Sequence, residues 1–274
     1  MAYIIIFVII ILVIFLFAAA ASSGQQKSPA TITQERVDAK ERWAQYQAER
    51  ERERQEKEAI IKQASLYPDE SETFVGKYLF VDTETTGLPK DYNGDVYDVS
   101  NWPRVVQLAW MLVDADGKLV SDECSIVKNK GVIPKHAEEV HGISTERMKA
   151  EGIPPKEAYS KLMNAFRMAD YVIIHNVDFD KPVIAADMLR HKLNDLAEEF
   201  LNGNFFCTMK AGVDICRITG YYGDYKYPKL VELFGKLYLN DHTVSIGGLH
   251  SADADVLVTY RCFMKMKEKG YIQI

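Results

Sequence analysis

Six carboxylates and two histidines fall in three short clusters: Asp82-Thr83-Glu84, His175-Asn176-Val177-Asp178-Phe179-Asp180 and His250-Ser251-Ala252-Asp253-Ala254-Asp255. The run Tyr78 to Thr83 is apolar and closes on polar residues, the pattern of a buried strand. Residues two apart in a strand face the same side, so Asp82 and Glu84 project together. Two carboxylates at the end of a buried strand repel each other and resist desolvation, and a divalent cation between them relieves both penalties. D-x-E alone is a weak signal, because acidic pairs are common on solvated faces. In the second cluster, Asp178 or Asp180 can cap the helix that follows or face the first pair. In the third, a residue five along lies about 140° round a helix. His250 is therefore expected before the helix, leaning over a site to which Asp255 supplies a ligand. The plainer alternative is a solvated helix start bearing Asp253 and Asp255.

The surrounding elements must bring these clusters together. Val105 to Val113 and Leu119 to Val127 read as the next two strands, joined by the turn signal Asp114-Ala115-Asp116-Gly117. Pro155 to Met168 has helical periodicity, with Ala158, Leu162, Ala165 and Phe166 on one face. Tyr171 to Ile174 reads as another buried strand, with a helix from Lys181 to Leu193 behind it. Further helices fit Lys229 to Tyr238 and Ser251 to Lys267. A hairpin followed by alternating helices and strands implies an α/β fold, a mixed central sheet flanked by helices.

In order, FVDTETTGLP, HNVDFD and HSADAD resemble the three motifs of the DEDDh 3′–5′ exonuclease family, which includes the proofreading epsilon subunit of bacterial DNA polymerase III. The resemblance runs from about Tyr78 to Met266. RVVQLAWMLVD, IPKHAEEVHGIS and YPKLVELFGKLY support it between the motifs. It implies a ribonuclease H-like fold, with Asp82, Glu84, Asp180 and Asp255 as metal ligands and His250 as general base. Asp178 and Asp253 are extra acids at variable positions. It also implies that the backbone after Glu84 cradles the terminal nucleotide, which points to Thr85, Thr86 and Leu88. The insertion LPKDYNGDVYDVSNWP is somewhat long for the family. Two divalent cations about 3.5–4 Å apart can clamp the attacking and leaving oxygens at phosphorus. Oxygen ligands favour Mg²⁺ or Mn²⁺ over zinc.

Composition is that of a globular protein, 47% apolar and 26% charged. The net charge of −6 argues against a duplex binder whose affinity comes from broad phosphate neutralisation. It does not exclude a nuclease, because bound cations reverse the local charge of an acidic site. Cys124, Cys207, Cys216 and Cys262 form no C-x-x-C pair, which argues against a zinc site or a disulfide framework and for a reducing compartment.

Three regions are expected: an anchor over 1–24, a charged helical linker over 25–73 and the catalytic domain over 74–274. No side chain from Ala2 to Gln26 is charged, and Tyr3 to Ala21 is almost continuously apolar. As a helix that stretch would span about 28 Å, close to the hydrocarbon thickness of a bilayer. A cleaved signal peptide is the rival, given the small residues from Ala18 to Ser22, but the start carries no Lys or Arg. Basic residues downstream, with none upstream, place the catalytic domain of this single-pass protein in the cytoplasm. From Gln34 to Gln63 eight basic and eight acidic side chains make a solvent-exposed helical spacer.

The expected function is release of nucleoside 5′-monophosphates from single-stranded DNA 3′ ends. RNA trimming by the same site is the alternative, and a catalytically inactive, membrane-tethered nucleic-acid-binding protein is the alternative of another class. With no tail after the last helix, a replicative proofreading subunit is disfavoured.

Overall fold

The computed structural model describes residues 77–243 and 251–274, all within one compact unit, Thr73–Ile274. The anchor Tyr3–Ala21, the spacer Gln34–Gln63 and His250 lie outside the described residues. Among the described residues, no helix is long and apolar enough to cross a membrane.

Among the described residues three strands come first: β1 (Tyr78–Thr85), β2 (Val105–Val113) and β3 (Leu119–Ile126). They pair antiparallel in sequence order. The β2–β3 turn closes as its sequence suggests. Gly117 takes a φ of 85°, and the Asp114 carboxylate accepts the backbone N–H groups of Asp116 and Lys118. Three helices follow, α1 (Lys135–His141), α2 (Thr145–Glu151) and α3 (Pro155–Phe166), before β4 (Tyr171–Ile174). Next come α4 (Val177–Arg190), α5 (Asn194–Leu201) and β5 (Phe205–Cys207). The single turns α6 (Thr208–Ala211) and α7 (Val213–Cys216) lead to α8 (Leu230–Leu239) and α9 (Ala252–Glu268). The sheet order is β3-β2-β1-β4-β5, with β4 and β5 parallel to β1.

The expected mixed sheet flanked by helices is what forms. β1 sits at its centre and is covered on both faces, so its first four residues are all buried. Leu79 and Val81 face the larger core with Ala158, Leu162, Val183 and Phe200 from α3, α4 and α5. Tyr78 and Phe80 face the other way, against Ala252, Val256 and Phe263 of α9. The period of two therefore sends Asp82 and Glu84 to the α9 side and Thr83 to the α4 side.

Several expected boundaries move by one to four residues, and two of the moves bear on the acids. β1 runs two residues further than Thr83, because Glu84 and Thr85 still pair with Gln107 and Val105 of β2. α4 starts at Val177 rather than Lys181. A proline favours the first helical turn, but here a full turn precedes Pro182, closed by the Phe179 and Asp180 N–H groups on the Asn176 carbonyl. That extra turn carries Asp180 into the helix. Asn176, not an aspartate, occupies the N-cap, with a φ of 77° that Asn tolerates better than most residues.

The insertion before β2 is built rather than loose. The Asn101 side chain bonds both the N–H and the carbonyl of Asp91, and Trp102 Nε1 donates to the Asp95 carbonyl at 3.1 Å. Gly94 lies so close to Asn101 that a Cβ would meet its Nδ2 at 2.4 Å. Arg190, at the end of α4, donates to the carbonyls of Val99 and Trp102 at 2.6 and 2.9 Å. Its charge is balanced by the fully buried Asp187, which also accepts the Tyr159 hydroxyl at 2.6 Å.

Candidate active site

Because β1, β4 and β5 are parallel, their C-terminal ends lie at one edge of the sheet, where α/β folds place their functional groups. Asp82 and Glu84 stand at the end of β1, and α4 begins just past the end of β4. α9 is fastened to the same edge by Gln107. This residue pairs across from Glu84, and its buried side-chain oxygen accepts the Ala252 N–H at 3.1 Å. One turn further on, Asp255 meets the first pair.

Carboxylate oxygens of Asp82, Glu84 and Asp255 lie within 4.8 Å of one another. Asp180 is buried on the α4 side, and its Oδ1 accepts the Thr83 hydroxyl at 2.7 Å. It is not one of the three converging carboxylates, yet its charge ranks next after burial in raising Asp82. Burial, then Asp180, Asp255 and Glu84, hold the Asp82 carboxyl well above the usual carboxylate range. Glu84 is pushed up to about 8 by burial, Asp255 and Asp180. Asp180 is pushed up to about 7, chiefly by burial, although the Thr83 hydroxyl pulls it down. Four acids that cannot all ionise unaided match the donor set a hard divalent cation requires.

This arrangement makes stability depend on pH. For Glu84 and Asp180 the folded state holds a proton that the unfolded chain has released above its ordinary pKa. The favourable contribution is complete below about pH 4.5 and is lost as pH rises to about 8. In EDTA the domain should be less stable at pH 8 than at pH 5, because these acids give up their protons on the way. Millimolar Mg²⁺ should remove most of that slope. Calorimetry at both pH values checks this, and a metal-free Tm unchanged or higher at pH 8 would contradict the geometry.

The acids open into a cavity of about 330 Å³, also lined by His175, Asn176, Phe179, Tyr227 and Lys229. His175 is tied at both ring nitrogens, to the Thr208 hydroxyl at 3.0 Å and the Pro228 carbonyl at 3.2 Å. A carbonyl can only accept, so Nε2 carries the proton and Nδ1 accepts from Thr208. Burial lowers its pKa to about 4. His175 therefore stays neutral and fastens the end of β4 to the segment entering α8. Its part, and those of Asn176 and Tyr227, went unassigned from sequence. The signal was present in HNVDFD and YPKL, motif residues adjoining the carboxylates.

Of the residues the family pattern implies around the terminal nucleotide, Thr85 and Thr86 have their side chains engaged in the turn. The Thr85 hydroxyl donates to the Gly87 carbonyl at 2.7 Å, and Thr86 Oγ1 accepts the Arg104 N–H at 3.0 Å. Leu88 is 72% exposed. Asp178 stands outside the cluster, paired with Lys210 at 2.7 Å. α9 begins at Ala252 with Ser251 at its N-cap, and His250 lies outside the described residues.

An acidic cluster at the C-terminal edge of a mixed, helix-covered sheet defines the ribonuclease H-like exonuclease class. A family described as exonuclease, of the RNase T type, matches residues 79–263, and the chain belongs to it. Its motifs follow the DEDDh pattern. No curated protein matches the chain significantly. The fold is similar to E. coli exonuclease I in complex with a dA16 oligonucleotide, at 18% identity and a TM-score of 0.53 over 70% of this chain and 40% of that one. A zinc-bound complex of the E. coli enzyme with single-stranded DNA aligns at 17% identity and a TM-score of 0.52, covering 70% and 40%. Exonuclease X with 5′-overhanging duplex DNA aligns at 21% identity, covering 71% and 94%, with a TM-score of 0.47. The chain thus spans about two fifths of the length of the exonuclease I structures it resembles.

Proposed function

We propose that this protein is a 3′–5′ exonuclease that releases nucleoside 5′-monophosphates from single-stranded DNA ends, using two divalent cations, Mg²⁺ or Mn²⁺. The observation that carries it is the convergence of Asp82, Glu84 and Asp255, with Asp180 beside them, in an open cavity. These four carboxylates would hold the cations. Bound there, the cations supply the positive charge that keeps the acids ionised and offsets charge developing at phosphorus.

His250 takes a proton from the attacking water, whose oxygen bonds to phosphorus as the bond to the 3′ oxygen of the preceding nucleotide breaks. The products are a nucleoside 5′-monophosphate and a strand with a new 3′ hydroxyl. Leu88 is free to lie against the terminal base, while Thr85 and Thr86 hold the turn that presents it. Exonuclease I binds single-stranded oligonucleotides, and an open cavity with an aromatic wall suits an unpaired end. Turnover of 5′-labelled single-stranded DNA with Mg²⁺ and none with EDTA is the expected result. Faster cleavage of the matching RNA would make the protein an RNA-trimming enzyme, and no cleavage of either would leave an inactive binding protein.

The same proposal places the protein at a membrane, with Tyr3–Ala21 as a single span and the domain facing the cytoplasm. The intact chain is expected to fractionate with membranes and resist carbonate extraction. A chain beginning near Phe74 should be soluble and active, because all five motif residues lie beyond that point. A mature N-terminus near Ser22, found by mass spectrometry, would replace the anchor with an exported nuclease. Digestion of the domain by protease added outside intact cells would reverse the orientation.

A further inference from the structure

A second groove, of about 690 Å³, lies beside the acidic cavity and shares Asn176, Met209 and Tyr227 with it. Its outer wall is the insertion before β2, which contributes Tyr92, Asn93 and Gly94, and its floor includes Lys181 and Phe205. The wall is preformed, through the Asn101 and Arg190 bonds described above. Tyr92 is 51% exposed, with its ring 6.5 Å from that of Phe179, a residue of the catalytic cavity. Tyr227 is also exposed where the two spaces join. Lys181 Nζ stands 4.4 Å over the Phe205 ring and, among the described residues, pairs with no carboxylate. The acid that α4 contributes to the groove lining, Asp178, is paired with Lys210.

Exposed aromatic faces beside an uncompensated ammonium, continuous with a site that takes a strand terminus, match the chemistry of a nucleotide: a ring to stack and a phosphate to hold. We propose that this groove is a subsite for the nucleotides 5′ of the terminal one, with Tyr92 stacking on a base and Lys181 holding a phosphate. The direction follows from the reaction. The terminal nucleotide occupies the acidic cavity, so whatever extends beyond it is the 5′-ward strand. The inference rests on the 3′-end reading above and assigns a role to an insertion that reading leaves unused.

The test compares two substrates. The p-nitrophenyl ester of thymidine 5′-monophosphate fills only the acidic cavity, whereas 5′-fluorescein-labelled dT10 reaches the groove. Tyr92→Ala and Lys181→Ala should each raise KM for dT10 about tenfold, within the range for one lost base–aromatic stack or phosphate contact. Neither should change turnover of the ester. Tyr92→Phe should keep the wild-type KM, and Lys181→Ala should flatten the dependence of log affinity on log salt by about 0.7. An unchanged KM for dT10 in both alanine variants would overturn the groove, and so would equal losses on the two substrates. If the wild type hydrolyses neither substrate, the exonuclease reading fails instead. Anisotropy of labelled dT10 then decides the groove alone, weaker binding in the variants supporting it and equal binding overturning it.

Discussion

Asp82→Ala is expected to lower 3′-end hydrolysis by about 10³-fold or more while leaving the fold intact. Asp82 stands where Glu84, Asp180 and Asp255 all act on it, so its removal takes the central negative charge from the proposed cation site. Cations in such sites stabilise the transition state by several kcal/mol, and about 1.4 kcal/mol corresponds to each factor of ten. The same loss is expected for Asp180→Ala. The metal-free variants should melt no lower than wild type at pH 8, because relieving repulsion among buried acids offsets the lost side chain. Asp170→Ala serves as a control: that carboxylate is exposed and paired with Lys77 away from both cavities, and its loss should leave turnover near wild type. Full activity in Asp82→Ala or Asp180→Ala would sink the metal-ligand assignment.

His250→Ala is expected to slow turnover by about 10²–10⁴-fold, the usual range for a positioned general base, with cation binding less affected. An ordinary imidazole titrates near pH ~6.5, so it can accept a proton around neutrality. The other histidine of the motifs is unsuited to that task. His175 is buried, bonded at both ring nitrogens and lowered to about 4. The rising limb of the wild-type pH–rate profile should vanish in His250→Ala and survive in His175→Gln. Identical profiles for wild type and His250→Ala would remove His250 as the base.

Elements long enough to show a period were legible in the sequence. β2 and β4 run between the residues their apolar patterns suggest, and α9 begins one residue later than expected. β5 escaped because three residues are too few to establish an alternation, and it exists only because β4 offers a parallel edge. α1 and α2 escaped similarly, since seven residues make barely two turns and their stability comes from packing around Ile133, Ile143 and Met148.

The sequence by itself determined which acids could carry metal chemistry, because D-x-E on a strand and acids in two later motifs are chemical facts independent of packing. It also determined the family and the layered α/β class. Only the tertiary structure decided how the acids divide. Asp82, Glu84 and Asp255 converge because Gln107 seats α9 opposite Glu84. Asp180 approaches from the other layer through Thr83, because the turn preceding Pro182 carries it there. It alone turned the insertion into a groove wall, through Arg190 and Asn101 contacts that link residues distant in sequence. Periodicity specifies which way a side chain faces within its own element, whereas the meeting of faces from different elements depends on packing between them.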